Sequence, residues 1–588
     1  MDVLPWKKLV EPGPEDPAMA EKEVYIRKQE TYDAIVVGSG ITGGWAAKEL
    51  CEKGLNTLLL ERGPYVEHGK DYVGEHKAPW QLPYRGRGAR QNEDEYAVQS
   101  TCYAFSEASK QFFVNDKENP YTHDDDKPFL WIRGYHLGGR SLTWGRQSYR
   151  WSNLDFEANA HDGYGVDWPI RYEDLAPWYD YVEAFAGISG QAEGMPQLPD
   201  GDFLPPMQMN CAEEHVKEGI EKRFADRRMT IGRTAVLTQP HNGRAPCHYC
   251  GPCQRGCSVG AYFSSLSATL PAALATGNLT IRADSIVHSV LYDEETSRAT
   301  GVRVIDRNTR EDIEFHGRIV FLCASTLGST QILLNSTSPR FPEGLANSSG
   351  ALGHYLMDHP YLAGATGDVP DRDDKYFFGN RPNGIYILRF RNLDPKRPHP
   401  NFVRGYGYQG GASRAGWNRG LDMPGFGADF KHALRKPGPW SMWIGGWGEH
   451  LPRYENYVAL DPDVKDAWGI PALRVHCTWS DNELKMKEDM AEQGAEMLEA
   501  AGCTNVQPFN NDAPPGFCIH EMGTARMGRD PKTSVLNAYN QAHDVPNLFV
   551  TDGACMTSSA CQNPSLTYMA ITTRAADYAV EEMKRLNL

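Results

Sequence analysis

The sequence has no surplus of positive charge and no long apolar run. Its 588 residues include 60 Lys and Arg against 76 Asp and Glu, a formal net charge of −16. Proteins that bind nucleic acid present a basic face to the phosphates, so we expect no nucleic-acid partner. No apolar stretch approaches the length of about eighteen residues that a membrane helix needs, and the start has no hydrophobic signal segment. We therefore expect no direct membrane span, and a chain left to itself in the cytoplasm.

Internal repeats and low-complexity tracts are also missing, and the composition is that of a globular protein. A chain of this length can bury two or more hydrophobic cores, which favours a two-domain enzyme. Residues 1–30 are rich in Pro, Glu and Lys without apolar periodicity, and we predict that they form an N-terminal arm.

A glycine-rich motif follows the first predicted strand. The apolar stretch 33–37 ends at Gly38, and Gly40 and Gly43 follow before a helical pattern, which is G-x-G-x-x-G in a strand-turn-helix setting. These glycines permit a tight turn, the approach of a pyrophosphate and close helix–strand packing, respectively. Glu61 ends the second predicted strand, where it would accept hydrogen bonds from ribose hydroxyls. The pattern predicts a dinucleotide site without separating NAD from FAD.

A second glycine-rich block contains Gly138, Gly139, Ser141 and Thr143. The glycine pair permits close backbone approach to a flat ring system. An ordinary glycine-rich turn is the alternative interpretation.

Four of the 13 cysteines lie close together, at Cys247, Cys250, Cys253 and Cys257. Their C-x2-C-x2-C-x3-C spacing is typical of iron-sulfur proteins, although the proline that often follows the last cysteine is missing. A structural zinc site usually pairs two C-x-x-C knuckles across a longer loop, so zinc is a weaker alternative. Disulfide-bonded or uncoordinated cysteines remain a third.

Near the C-terminus, His520 and Asn563 are delivered by separate segments, and Asn563 leads into a helix that begins at Pro564. A neutral histidine suits the removal of a hydroxyl proton near neutral pH, and an asparagine amide can orient the substrate oxygen. We predict an acid/base pair beside a cofactor, with a structural histidine as the alternative. His359 is interpreted as structural.

Trp440, Trp443 and Trp447 lie among glycines in the predicted substrate-binding region. Aromatic faces suit the apolar face of a pyranose, but the packing of a sheet core explains these residues equally well. Glu449 and His450 are possible sugar contacts.

From Tyr32 onward the chain resembles the glucose-methanol-choline (GMC) family of FAD oxidoreductases. Besides the motifs above, the resemblance includes the segments 324–331, 356–360 and 552–553. It implies an α/β (α+β) fold: a Rossmann-like FAD-binding domain with a discontinuous substrate domain on an antiparallel sheet. The implied boundaries are an N-terminal arm at 1–30; FAD-binding segments at 31–150, at 241–350 with a cysteine insertion at 247–257, and at 516–588; a substrate or cap segment at 151–240; and a substrate-binding domain at 351–515.

The same resemblance implies FAD as the cofactor and His520 and Asn563 as catalytic residues. Some family members attach flavin covalently to a histidine near position 143; Thr143 stands there, so we expect non-covalent FAD, with His136 a less favoured attachment site. The cofactor-binding residues that it implies are Gly38, Gly40, Gly43, Glu61, Arg62, Gly138, Gly139, Ser141, Thr143, Asp552, Gly553, Pro564 and Ser565.

Within the family, the chain is most similar to iron-sulfur-containing glucoside 3-dehydrogenases and FAD glucose dehydrogenase catalytic subunits of bacteria. This similarity implies oxidation of a sugar or glycoside at C3 and a 3Fe-4S cluster on Cys247, Cys253 and Cys257, or a 4Fe-4S cluster if Cys250 also binds. It further implies a c-type cytochrome or quinone acceptor and a small partner subunit that carries the export signal to the periplasm. The alternatives are a glucose C1 or gluconate-type dehydrogenase, a pyranose oxidase-like enzyme and a redox-neutral FAD lyase.

Overall fold

The first glycine-rich motif follows the carboxyl end of a central strand in a mixed sheet. The central strands of this sheet are parallel. The computed structural model describes residues 31–86, 88, 94–372, 379–394 and 396–588, so the expected arm at 1–30 lies outside the described residues. The strands in chain order are β1 Thr31–Val37, β2 Thr57–Leu60, β3 Thr122–His123, β4 Met229–Ile231, β5 Leu279–Arg282, β6 Ser285–Asp293, β7 Arg298–Asp306, β8 Asp312–Leu322, β9 Ala363–Val369, β10 Ile385–Ile387, β11 Tyr406–Arg414, β12 Trp440–Gly448, β13 Tyr457–Lys465, β14 Pro471–His476, β15 Thr504–Asn510 and β16 Leu548–Val550.

The mixed sheet has the order β5-β2-β1-β8-β7-β6, and β16 pairs with β8. Strands β5, β2, β1, β8 and β16 run parallel, whereas β6, β7 and β8 form an antiparallel meander. The apolar run of β1 is fully buried from Ala34 to Val37, as a central parallel strand requires, whereas Asp33 is partly buried and Thr31 is exposed. Segments far apart in the sequence therefore build this one sheet.

The second sheet is antiparallel, with the order β15-β9-β12-β11-β10-β4. The helix Asp481–Ala500 covers it and buries Met486, Met490 and Met497. Close packing depends on glycine in β12, because a Cβ at Gly446 would lie 2.5 Å from the Met490 sulfur. A small third sheet has the order β13-β14-β3. The α/β fold class expected from the sequence is confirmed, and the domain boundaries stay predictions.

The long helices pack on both large sheets. None of the helices within the described ranges is long and apolar enough to cross a bilayer. The C-terminal helix Ser565–Lys584 packs against the helix that follows the glycine motif. The α-helices are Ile41–Glu52, Asn153–Phe156, Ala158–Asp162, Tyr172–Ala186, Cys211–Arg223, Leu270–Ala275, Thr326–Asn335, Gly427–Arg435, Asp481–Ala500 and Ser565–Lys584.

Candidate active site

A cavity of about 1420 Å³ is lined by residues from both large sheets. The residues after the carboxyl ends of β1, β2 and β8 line one part of it, which is where open parallel sheets bind ligands. Residues of β11 and β12 line another part. Its volume exceeds the roughly 300–1,000 Å³ of ordinary small-molecule sites, so the cavity can hold a dinucleotide together with a substrate.

The three glycines of the first motif have different surroundings. Gly38 has a φ of +93°, and a Cβ there would lie 2.5 Å from the Cys323 carbonyl oxygen. A Cβ at Gly43 would lie 1.8 Å from the Gly38 oxygen, so helix and strand pack at their closest here. Gly40 has open space for at least 4 Å around the same position. The loop therefore leaves its backbone accessible at Gly40, where a phosphate can approach the helix N-terminus.

Glu61 lies directly after β2 and lines the cavity. Its carboxylate accepts hydrogen bonds from the Ser39 N–H at 3.1 Å and the Ser39 hydroxyl at 2.5 Å. Burial raises the pKa of Glu61. The neighbouring Arg62 also lines the cavity and pairs with Asp466 at 2.6 Å. Glu61 thus fixes the phosphate loop, and its other oxygen accepts the Gly63 N–H at 2.9 Å, which leaves one lone pair there for a ribose hydroxyl.

The second glycine block rests on the first. Gly138 donates its N–H to the Ser39 hydroxyl at 2.8 Å, and a Cβ at Gly139 would lie 3.4 Å from Gly40 Cα. Ser141 donates to the Gly138 oxygen at 2.5 Å, which closes the turn. Gly139, Ser141 and Thr143 line the cavity. The two motifs, about a hundred residues apart, therefore form one surface.

His136 lies behind this block and does not line the cavity. Its ring is buried against Phe112, with the ring centroids 5.2 Å apart. This position corrects the expectation that His136 is a secondary candidate for flavin attachment, because the side chain has no access to the cavity.

The C-terminal segments complete the cofactor side of the cavity. Asp552 accepts from the Ala554 N–H at 3.0 Å and from the Ser329 hydroxyl at 2.5 Å, and Gly553 packs so tightly that a Cβ would lie 2.3 Å from a threonine hydroxyl. Pro564 and Ser565 line the cavity at the start of the last long helix. The partial positive charge of that helix N-terminus favours an anionic group in the cavity.

The segment that carries His520 is held by a buried carboxylate. Asp358 accepts backbone hydrogen bonds from Gly516 at 2.8 Å, Cys518 at 3.1 Å and His520 at 3.1 Å. Burial raises the pKa of Asp358 to about 7, with Glu521 adding to the effect. The three N–H donors compensate part of the cost of burying this carboxylate and fix the backbone of the segment.

The His520 side chain lines the cavity, and its Nδ1 lies 2.9 Å from His359 Nδ1. Burial lowers the pKa of His520 well below the usual value, and the adjacent His359 and Arg140 lower it further. His520 is therefore neutral near pH 7, which is the protonation state that a general base needs.

Arg140 links the second glycine block to the His520 segment. Its guanidinium forms two contacts with the Glu521 carboxylate, at 2.9 and 3.3 Å. Paired hydrogen bonds of this kind fix orientation as well as distance. The pair places a cation at the cavity wall beside His520.

Asn563 lines the cavity and accepts a hydrogen bond at its Oδ1 from Gln409 Nε2, at 2.6 Å. Because the oxygen is occupied, the amide N–H group is the part of Asn563 that remains for a ligand. Gln409 lies on β11, and no local sequence signal identified it. Residues alternate between the two faces of β11, and which face meets the cavity is known only from the structure of the sheet.

Aromatic side chains form the wall of the cavity on the side of the second sheet. This wall consists of Trp443, Trp447, Tyr361 and Phe517. The ring centroids of Tyr361 and Trp447 are 4.5 Å apart. Asn383 also lines the cavity, and its buried Oδ1 has no hydrogen-bond partner among the described residues. This end therefore offers both flat apolar surfaces and an unused polar atom.

The other residues expected near a sugar are in the core. Trp440 is fully buried within the second sheet's core. Glu449 is fully buried and pairs with Arg389, and His450 is fully buried and accepts the Asp358 N–H at 3.1 Å. The positions of these three side chains exclude direct contact with a ligand in the cavity.

The cysteine motif forms a loop beside the cavity. All thirteen cysteines lie in the described ranges and are free thiols. Cys250 is exposed, whereas Cys247, Cys253 and Cys257 are partly buried and pack against one apolar group. Tyr249 donates its N–H to Cys247 Sγ at 3.3 Å, and its side chain lines the cavity. The apolar group consists of Met207, Val236 and Tyr262.

The sulfur atoms do not form a compact site for a single ion. In the described part of the chain, His359, Cys518 and His520 are the one group of three whose potential ligand atoms all lie within 4.8 Å of one another. A tetrahedral zinc ion needs its ligands closer together than the cysteine loop provides. A cluster with several metal atoms spreads its thiolates more widely, and the iron-sulfur cluster expected from the spacing stays a prediction.

Comparison with known proteins gives the family. The chain matches the models for the N-terminal and C-terminal parts of GMC oxidoreductases at residues 32–361 and 452–572. It is 31% identical to 2-methyl-1,2-propanediol dehydrogenase of Mycolicibacterium austroafricanum over 93% of this chain and 94% of that protein. It is 25% identical to the fructose dehydrogenase large subunit of Gluconobacter japonicus, over 94% of this chain and 98% of that subunit.

A formate oxidase of Aspergillus oryzae RIB40 has a similar fold, with a TM-score of 0.60 at 14% identity over 95% of this chain and 100% of the other. The family models together span most of the sequence and include both the glycine motif and the His520 segment. The chain therefore belongs to the GMC oxidoreductases and is an FAD-dependent enzyme that acts on CH–OH groups.

Proposed function

We propose that this protein is a dehydrogenase that oxidises a secondary hydroxyl of a sugar or glycoside, with C3 of a glucoside as the position and a 3-keto sugar as the product. The observation that carries the proposal is the neutral, partly buried His520 in the same cavity as Asn563 and an aromatic wall. A base, an oxygen-orienting amide and a flat apolar surface are the groups that this reaction needs.

FAD, when bound, accepts a hydride from the carbon that carries the hydroxyl. His520 removes the hydroxyl proton, and Asn563 donates an amide N–H to the same oxygen. Gln409 holds the Asn563 oxygen and so fixes which end of the amide points at the substrate. The parts of the chain that would hold the cofactor are Gly40, Glu61, Gly139 and the N-terminus of the helix Ser565–Lys584.

The sugar assignment is supported by the wall of the cavity. The rings of Trp443 and Trp447 suit the apolar face of a pyranose, and the free oxygen of Asn383 can accept from a ring hydroxyl. One relative acts on fructose, by its name. The choice of C3 rests on the resemblance to cysteine-containing glucoside 3-dehydrogenases.

We propose that Cys247, Cys253 and Cys257 would hold an iron-sulfur cluster. Such a cluster would supply single-electron transfer to a c-type cytochrome or a quinone. The proposal is supported by the position of the loop, which borders the cavity through Tyr249. A small partner subunit with the export signal would carry the folded chain to the periplasm.

A second candidate is a dehydrogenase of small aliphatic diols. It is favoured by the 31% identity to a protein named for 2-methyl-1,2-propanediol. A diol offers no flat face, so the two candidates differ in their need for Trp443 and Trp447.

An anaerobic titration of the purified holoenzyme with methyl glucoside tests the proposal, with 2-methyl-1,2-propanediol as the parallel titrant. Bleaching of the flavin band by the glucoside and not by the diol is the expected result. Bleaching by the diol alone would replace the first candidate with the second. No bleaching by any alcohol in a wider panel would leave a redox-neutral lyase.

The cysteine loop provides a matched pair for the electron path. We expect Cys253→Ser to lose iron and electron transfer to a cytochrome while flavin reduction by substrate continues. Cys250→Ser, at the exposed position, should keep the iron. Iron-free wild-type protein that still reduces a cytochrome would remove the cluster from the proposal.

A further inference from the structure

A line of hydrogen bonds connects a backbone carbonyl to His520 through a second histidine. His359 Nε2 lies 2.9 Å from the Ala560 carbonyl oxygen, and His359 Nδ1 lies 2.9 Å from His520 Nδ1. His359 is buried and His520 is partly buried, and the two rings meet edge to face, with an interplanar angle of 88°. His520 Nε2 makes no hydrogen bond within the described part of the chain.

The Ala560 carbonyl fixes which nitrogen of each histidine ring carries a proton. A carbonyl oxygen only accepts, so the nitrogen opposite it, His359 Nε2, must carry a proton. A neutral imidazole has one N–H, so His359 Nδ1 is then a bare acceptor. His520 must therefore donate from Nδ1, which leaves Nε2 of His520 as the unprotonated nitrogen.

The surroundings favour this single arrangement. Burial lowers the pKa of His359 to about 4, so the ring is neutral near pH 7 and cannot donate from both nitrogens. The Cys518 thiol lies 3.4 Å from His520 Nδ1, but a thiol is a weak partner that can donate or accept. The contact with Cys518 is therefore compatible with either tautomer of His520. Asp358 accepts hydrogen bonds from the backbone N–H groups of Cys518 and His520, which holds the backbone that carries the ring beside His359.

We propose that His359 is a positioning residue that fixes the His520 tautomer with its proton on Nδ1, so that Nε2 is ready to accept the substrate proton. This inference rests on the proposed role of His520 as the base. In the other tautomer Nε2 would carry the proton, and the unprotonated nitrogen would be Nδ1, which lies against His359 and not toward the substrate. His359 itself touches neither substrate nor cofactor in this proposal.

Two substitutions separate the positioning role from a packing role. His359→Gln keeps an acceptor toward His520 and a donor toward the Ala560 carbonyl, whereas His359→Leu fills similar space with neither. We expect the leucine variant to retain FAD and substrate affinity while its rate constant for anaerobic flavin reduction falls roughly 100-fold. The glutamine variant should recover most of that loss.

The His520→Ala variant distinguishes the failure of this inference from the failure of the proposed function. If His520→Ala reduces flavin at the wild-type rate, His520 is not the base and the proposed function fails. If His520→Ala is inactive but His359→Leu is as fast as wild type, only the tautomer inference is overturned. Equal losses in His359→Gln and His359→Leu would also overturn it, because both hydrogen bonds survive in the first.

A spectroscopic measurement keeps the inference testable even if His359→Leu does not fold. In ¹⁵N-histidine-labelled wild-type holoenzyme, the His520 signals are assigned as those missing in His520→Ala. We expect the shift of a protonated nitrogen at Nδ1 and of an unprotonated nitrogen at Nε2. The reverse pattern in the wild-type protein would overturn the proposal without any variant of His359.

Discussion

Replacing either of two neighbouring glycines by alanine should separate cofactor binding from folding. Gly40 has a φ of −65° and open space around the position of a Cβ, so the folded chain accepts an alanine there. Gly43 would place its new Cβ 1.8 Å from the Gly38 oxygen, a backbone atom that cannot rotate away. We therefore expect Gly40→Ala to fold without its normal FAD affinity and Gly43→Ala to lose stability.

The sizes of the two effects follow from these distances. At Gly40 the methyl group occupies the space through which a phosphate reaches the backbone N–H groups, and losing one charged hydrogen bond costs about 1.5–3 kcal/mol. That cost raises the Kd for FAD roughly 10- to 100-fold. At Gly43 both the strand and the helix must move apart by more than an ångström, which costs about 3 kcal/mol or more by analogy with overpacked cores.

The assay compares three proteins, with wild type as the reference. The FAD content after gel filtration and the Kd from flavin fluorescence report the cofactor site, and thermal unfolding of the FAD-free proteins reports the fold. An unchanged Kd in Gly40→Ala would refute the assignment of this loop to the pyrophosphate. If the melting temperature of the FAD-free protein falls as much in Gly40→Ala as in Gly43→Ala, the inference that the fold tolerates a methyl group at Gly40 is wrong.

Three further predictions concern buried and cavity-lining residues. Burial and the nearby Glu449 raise the pKa of Asp155 to about 7, so the wild-type free energy of unfolding should fall as the pH rises from about 4 to 7. In urea melts, Asp155→Asn should remove up to about 1.4 kcal/mol per pH unit of that slope; an unchanged slope contradicts the shift. Gln409→Leu frees the Asn563 amide and should slow flavin reduction roughly tenfold with FAD retained, and a wild-type rate would mean that other contacts hold Asn563. Trp447→Ala should weaken methyl glucoside binding more than diol binding in the titration; equal weakening would remove the stacking role.

The cofactor side of the site could be predicted because its signals are local. A tight turn, a close approach and a close packing contact each require glycine at one position, and the structure gives Gly38, Gly40 and Gly43 those three different surroundings. The second glycine block is also local. What the sequence could not indicate is that Ser39 joins the two blocks, because that contact depends on how the chain returns to the sheet.

The substrate side was less predictable because its contacts join segments that are far apart in the sequence. The tryptophans at 440, 443 and 447 look alike in the sequence, but alternation along β12 and the glycines around it send the first into the core and leave the other two at the cavity. Glu449 and His450 follow the same strand and are buried, Glu449 beside Arg389 and His450 beside Asp358. Gln409 carries no motif, and its role depends on the meeting of two segments about 150 residues apart.

The adjacent residues Asp358 and His359 explain why the His520 segment needs a partner from elsewhere in the chain. Asp358 binds the segment's backbone through three N–H groups, and His359 binds the His520 side chain through Nδ1. Position and tautomer are separate requirements for a general base, and a loop of irregular structure supplies neither by itself. Because one dipeptide meets both requirements, a shift of this dipeptide would disturb the distance and the protonation pattern of His520 together. The interpretation of His359 as structural stays a prediction, and its buried contacts reach the cavity through His520.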